Sequence, residues 1–161
     1  MEFKTPAHKD AYEKTRGFLY SIFGETGVKV IDDMFTLQEG SAFVYIKVFP
    51  VGASSAGIEV FSYVVADVPV TEALMRHLLS YNLRLTFGGL GLCIGGDDKG
   101  SVLLRHAILG DKMDREELYA SVSAIARVAD EIDDKLVGMF GGNTALGKLM
   151  SRDPVPLEVW E

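Results

Sequence analysis

Four acidic residues, Asp130, Glu131, Asp133 and Asp134, crowd one short stretch of the chain. Paired carboxylates of this kind could hold a divalent cation or move protons. Their spacing points elsewhere. At 100° per residue, Glu131 and Asp134 turn away from the apolar stripe of the helix that carries them, and Asp133 falls on its edge. This predicts a solvated face plus one partly buried Asp with an arginine or backbone partner, Arg84 and Arg105 being the candidate arginines. No Glu-x-x-His pair occurs for a di-iron centre. His8, His77 and His106 are far apart and form no metal-binding pair. His106 is expected half-buried on a strand beside Val102 and Leu104. Cys93, among apolar neighbours, reads as a buried, inert thiol. As the single cysteine it also excludes an intrachain disulfide and any all-cysteine metal site.

Three further patterns resemble reactive loops only on the surface. Gly88-Gly89-Leu90-Gly91-Leu92-Cys93-Ile94-Gly95-Gly96 follows a helix and flanks a strand. A dinucleotide fingerprint must follow a strand and open a helix, so these glycines are assigned to turns and bulges. Ser54-Ser55 lacks the G-x-S-x-G frame of a nucleophile elbow. Asp97-Asp98-Lys99-Gly100 is a turn, since the later acidic ligands of a calcium loop are missing. The sequence therefore predicts no enzyme, no metal and no cofactor. The charge balance, 23 acidic against 16 basic residues in 161, gives −7 and argues against a phosphate-backbone partner. Apolar content of 48% and charged content of 24% suit a globular domain. Apolar runs of about five residues, such as Ala42–Ile46, are too short for a membrane span. The opening MEFKTPAHKD lacks the apolar core of a secretion signal, so the expected location is cytoplasmic.

Behind these residues lies a regular alternation of elements. Thr5 caps a first helix, Pro6 suits its first turn, and Ala7, Ala11, Phe18, Leu19, Ile22 and Phe23 form its apolar side. Val28–Ile31 and Met34–Leu37 suggest a short first strand, broken at Gly40. Ser41–Val51 and Gly57–Val68 are strong strand signals separated by the small-residue loop Pro50–Gly57. A second helix runs from the cap at Thr71 to about Leu85, with Leu74, Leu78 and Leu85 on one face and Met75 and Leu79 widening it. Leu90–Ile94 and Val102–Leu109 form a hairpin. The third helix is the clearest: Asp114 and Glu117 cap it, and Leu118, Val122, Ile125, Ala129, Ile132 and Leu136 alternate by four and three residues. Residues 143–150 suggest a short last helix. Domain boundaries of 1–150 and a tail of 151–161 follow.

The two central strands are apolar on both faces. Val44, Ile46, Val48, Ile58, Val60 and Val64 share one face. Phe43, Tyr45, Phe49, Phe61, Tyr63 and Val65 share the other. Paired antiparallel, they oppose Lys47 to Glu59, Tyr45 to Phe61 and Phe43 to Tyr63. Helices on one side cover one face only, so the second needs a cover. Phe43, Tyr45, Phe49, Phe61 and Tyr63 are the expected partner- or dimer-binding residues. The first helix or the tail with Trp160 is the alternative cover.

The order helix, three strands, helix, two strands, helix resembles the type III secretion chaperone-like fold. It looks most like the YbjN-type branch of bacterial proteins, described as regulators of sensory transduction or left uncharacterised. The likeness is carried by Leu74-Met75-Arg76-His77-Leu78-Leu79-Ser80-Tyr81-Asn82, by Leu85 through Leu92, by Val102-Leu103-Leu104-Arg105-His106, by Leu118, and by Ala129 through Leu136 with Phe140-Gly141-Gly142. It implies an α+β fold with an antiparallel sheet packed by helices and no catalytic machinery. It also implies a protein–protein role, as in acidic homodimers that hold a partner segment. The expected function is a non-enzymatic interaction module, chaperone-like or regulatory, acting as a homodimer with itself and another protein as partners. The alternative is a small-ligand-sensing regulatory domain with a pocket between the sheet and the first or third helix.

Overall fold

The computed structural model describes residues 2–150. The first helix, α1 (Pro6–Phe23), starts where expected: the Thr5 hydroxyl accepts the His8 amide at 3.1 Å. Its buried face is His8, Ala11, Tyr12, Thr15 and Leu19, rotated from the expected one, with Phe18 and Phe23 only part-buried. Tyr12 stacks on Phe35 at 4.7 Å, and the Thr15 hydroxyl donates to the Ala11 carbonyl at 2.7 Å. A polar residue so satisfied can face a core, which apolarity alone does not predict.

The expected first strand is two strands, β1 (Lys29–Ile31) and β2 (Met34–Glu39), paired antiparallel. Asp32 and Asp33 join them with φ of 47° and 64°, the left-handed pair of a two-residue hairpin turn usually marked by Gly or Asn. β3 (Ala42–Val51) and β4 (Ser55–Pro69) follow, and only residues 52–54 separate them. The loop is shorter than the expected Pro50–Gly57 because Pro50 pairs with Ala56 and Phe49 with Gly57. The Phe49 ring fills the space a Cβ at Gly57 would take, so a larger residue there would displace the ring. The ladder opposes Lys47 to Glu59 and Tyr45 to Phe61, the expected register.

Next come α2 (Glu72–Asn82), β5 (Gly89–Ile94), β6 (Lys99–Leu109) and α3 (Arg115–Phe140). Then β7 (Asn143–Thr144), which the sequence did not suggest, leads into α4 (Ala145–Met150). In α2 only Leu74 and Leu78 are buried; Met75 and Leu79 are exposed rather than part of the core. In α3 every residue of the expected stripe is buried, and Asp114 accepts the Glu117 amide at 2.7 Å.

The seven strands form one antiparallel sheet in the order β1-β2-β3-β4-β6-β5, with β7 alongside β4. Register shifts after Tyr63 and after Val65 break the strict alternation of β4. Val64 and Val65 therefore both join the main core, and Val65 leaves the aromatic face where the alternation had put it. The main core lies between one sheet face and α1, α2 and α3. A second cluster, with Ala145 of α4 in it, occupies the other face. The fold is thus α+β, a helix-packed antiparallel sheet.

Candidate functional site

The residues with the most reactive chemistry are spread out. His8 is buried and isolated: its Nδ1 accepts the Lys4 amide at 3.4 Å, which assigns the proton to Nε2 for donation to the Val48 carbonyl at 3.1 Å. His77 packs between Tyr81 and Phe140, and the half-buried His106 meets Phe87 edge-on at 5.6 Å. Among the described residues no three His, Cys, Asp or Glu side chains gather as a metal site would require. The acidic stretch of α3 has a structural task. Asp130 accepts the Ser41 amide at 2.6 Å, and the Ser41 hydroxyl, with one proton to share between the two carboxylates, lies 2.7 Å from Asp130 and 2.8 Å from Asp133. These bonds hold the Asp130 carboxyl below its usual range. The buried Asp133 thus has the expected backbone partner, the Asp134 amide that donates to it at 2.7 Å, together with the Ser41 hydroxyl, and neither Arg84 nor Arg105. Gly40, at φ 61°, lets the turn come this close, since a Cβ there would overlap the Asp130 carboxylate. Glu131 faces outward and pairs with Lys135 at 3.1 Å.

The aromatic residues, in contrast, are brought together. Tyr45 and Phe61, opposed across β3 and β4, stack with centroids 5.3 Å apart. Tyr63 meets each of them edge-on at 6.0 Å. Phe43 packs on the same cluster with Met34, Leu103, Ala145 and Cys93. Period-two alternation puts Phe43, Tyr45, Phe61 and Tyr63 on this face. Phe49 stands apart on Gly57. Cys93 is half-buried rather than buried, because its edge strand leaves one side open.

Exposure divides the cluster into floor and rim. Phe61 and Tyr63 are 2% and 3% exposed, while Phe43 and Tyr45 are half-buried. The cover on this face includes α4, whose Ala145 sits in the cluster and whose Lys148 pairs with Asp67 at 2.8 Å. The first helix lies on the opposite face and cannot supply it. Trp160 and the tail lie outside the described residues. Beside the cluster runs an open groove of about 580 Å³, with Phe61, Tyr63 and Met34 on its floor and Lys4, Lys47, Asp32 and Asp33 among its lining.

One buried charge completes the face. Glu59 meets Arg105 of β6 at 2.5 Å, so the ion-pair partner at this distance comes from the neighbouring strand, with Lys47 across from it in register. Burial raises the Glu59 carboxyl above its usual range, and Arg105 and Lys47 pull it back. Burial, chiefly, also pushes the Tyr63 phenol up to about 12 and raises that of Tyr45. Both phenols are neutral donors at ordinary pH. From sequence, Arg105 is a candidate partner for Asp133, and neither it, Leu103 nor Met34 is assigned to the aromatic face. The β4–β6 register, which sets Leu103 opposite Tyr63 and Arg105 opposite Phe61, is the signal that finds two of them.

This arrangement offers apolar area, two phenols and a buried carboxylate paired with an exposed guanidinium, with no nucleophile–base pair among them to drive a reaction. Residues 10–148, from α1 to α4, match the model of the family described as TY-Chap1, the T3SS (YopN, CesT) and YbjN peptide-binding chaperone 1. The chain belongs to this family. TY-Chap1 is a family of peptide-binding chaperones rather than of enzymes. The crystal structure of YbjN from E. coli, described as a candidate transcription regulator, superposes with a TM-score of 0.54 at 12% identity. The match covers 77% of this TY-Chap1 chain and 92% of YbjN. At that identity the likeness concerns the fold alone. No curated protein matches the sequence. Among the described residues no helix is long and apolar enough to cross a membrane.

Proposed function

We propose that the protein is a non-enzymatic, chaperone-like module that holds an extended segment of a partner protein on the aromatic sheet face. The carrying observation is the second apolar cluster on the face opposite α1, α2 and α3, with Phe61 and Tyr63 as floor and Phe43 and Tyr45 as half-open rim. Aromatic rings give large contact area at little conformational cost, and the phenol of the half-buried Tyr45 can answer a partner's backbone carbonyl. Family membership supports a peptide as the occupant. The test is selection from a library of extended peptides, repeated with Tyr45→Asp. Tyr45 is half-buried, so the variant should keep the wild-type circular dichroism and lose the selected apolar and aromatic peptides. Equal binding by a folded Tyr45→Asp protein would refute the site.

The homodimer reading rests on a different surface. On α2 and its C-cap, Met75, Leu79 and Leu83 stand 40%, 70% and 91% exposed at spacings of four residues. Asn82, on the same flank by helical angle, reaches the sheet edge: its amide donates to the Leu90 carbonyl at 3.1 Å and accepts the Leu90 amide at 2.7 Å. Beyond that plug, edge strand β5 carries no charge and no proline, the usual protections of an edge. A second copy placed about a two-fold axis would cover both the stripe and the edge. Sedimentation should show a dimer for the wild type and a folded monomer for Leu79→Glu with Leu83→Glu.

A further inference from the structure

A cleft of about 430 Å³ separates α2 from α3, on the flank of α2 opposite the Leu79 stripe. His77 and Tyr81 of α2, with Arg84 in the turn that ends it, follow one another by four and three residues on its first wall. Ile132, Leu136 and Met139 do the same on the second, so both helices present one continuous flank. Ile132 and Leu136 are buried at its floor with Leu90 of β5, and Met139 forms an exposed lip. The size lies within the range of small-molecule sites.

The polar groups of the cleft are unequal in sign. Donors come from Arg84, Lys135, Tyr81 and His77. The carboxylate among the lining residues belongs to Glu131, and Lys135 already holds it at 3.1 Å. Arg84 makes no ion pair among the described residues and is exposed at the mouth. An apolar floor with one uncompensated guanidinium at the mouth fits a ligand that is apolar at one end and singly anionic at the other. A dianion would find a single uncompensated cation, and a neutral apolar molecule would leave the guanidinium unanswered. A planar guanidinium suits a carboxylate best, since it can donate two parallel hydrogen bonds. We propose that the cleft between α2 and α3 binds an amphipathic monocarboxylate, its apolar chain on Leu90, Ile132 and Leu136 and its carboxylate on Arg84. The site is independent of the aromatic face, which lies across the sheet.

Decanoate, octanoate and decanol, each below its micelle-forming concentration, are the probes, and amide NMR shifts are the readout. Decanoate should bind saturably with shifts confined to α2, Leu90 and the C-terminal half of α3. Each methylene is worth roughly fourfold in affinity, so octanoate, two methylenes shorter, should bind about sixteenfold more weakly. Arg84→Gln, at an exposed position, should keep the fold, weaken decanoate about tenfold and leave decanol unchanged. Met139→Glu should abolish decanoate binding by placing a carboxylate at the lip. Tyr45→Asp should leave decanoate binding intact while peptide binding is lost, which separates the two readings. Shifts mapping elsewhere, no saturable binding, or Arg84→Gln binding decanoate as the wild type does would each overturn the proposal.

Discussion

At the scale of single residues, two carboxylates give the fold opposite responses to pH. The hydrogen bonds from Ser41 lower the Asp130 value below its ordinary 3.8 in the folded chain. Their contribution is present above pH 3.8 and is lost as pH falls through the lowered value. Glu59 is raised above its ordinary 4.5, chiefly by burial, so the folded state binds its proton more readily than the unfolded state does. Its effect is a loss of stability as pH rises from 4.5 through the raised value. Denaturant melts across pH should show Ser41→Ala flattening the acid limb and Glu59→Gln flattening the slope above 4.5. A Ser41→Ala profile parallel to the wild type would exclude the clasp. Phe61→Asp, at a position 2% exposed, should unfold the chain where Tyr45→Asp does not, as circular dichroism would report. The Tyr45–Phe61 pair was legible because strand alternation and register follow from local pattern. The Ser41–Asp133 bond was not, because 92 residues separate its ends and a serine carries no signal of its partner.

At the scale of elements, α3 is the test of how far periodicity reaches. Ile125 is fully buried, and Ile125→Ala should cost about 2–5 kcal/mol, the range for truncating a buried isoleucine. Arg127, exposed on the same helix, should tolerate alanine within about 0.5 kcal/mol. Urea melts giving equal losses for both would contradict the burial pattern. Elements were legible where capping and period agree, as at Thr5, Thr71 and Asp114, each of which accepts an amide in the first turn. They were missed where the decisive feature is a backbone conformation. The Asp32–Asp33 turn divides one expected strand into two, and the bulges of β4 move Val65 across the sheet. Two aspartates do not announce a left-handed pair, and a bulge leaves no compositional mark.

At the scale of the whole molecule, the sheet has a different cover on each side. Three helices close one face, and a six-residue helix packs on the other. A homodimer through α2 and β5 would leave the aromatic face available to a peptide, so Leu79→Glu with Leu83→Glu should lower the sedimentation coefficient without abolishing peptide selection. Loss of both together would place the peptide at the dimer junction instead. A chelator should leave Tm unchanged, since the acidic residues of α3 that are engaged are held by Ser41 and Lys135. A shift restored by one specific cation would overturn that expectation.

Period and capping determined by themselves the three long helices, the α3 stripe, the pairing of β3 with β4, and a surplus of aromatic residues on one sheet face, and the resemblance that these elements carry implied the α+β class. These are local properties: each depends on residues close in sequence or on a simple alternation of faces. Which helix lies over which face, the Ser41 clasp on α3, the Arg105 partner of Glu59 and the cleft between α2 and α3 were decided only by tertiary structure. Each joins segments far apart in the chain. Their partners are selected by packing and by the need to satisfy buried polar groups, and a single sequence does not display those interactions in advance.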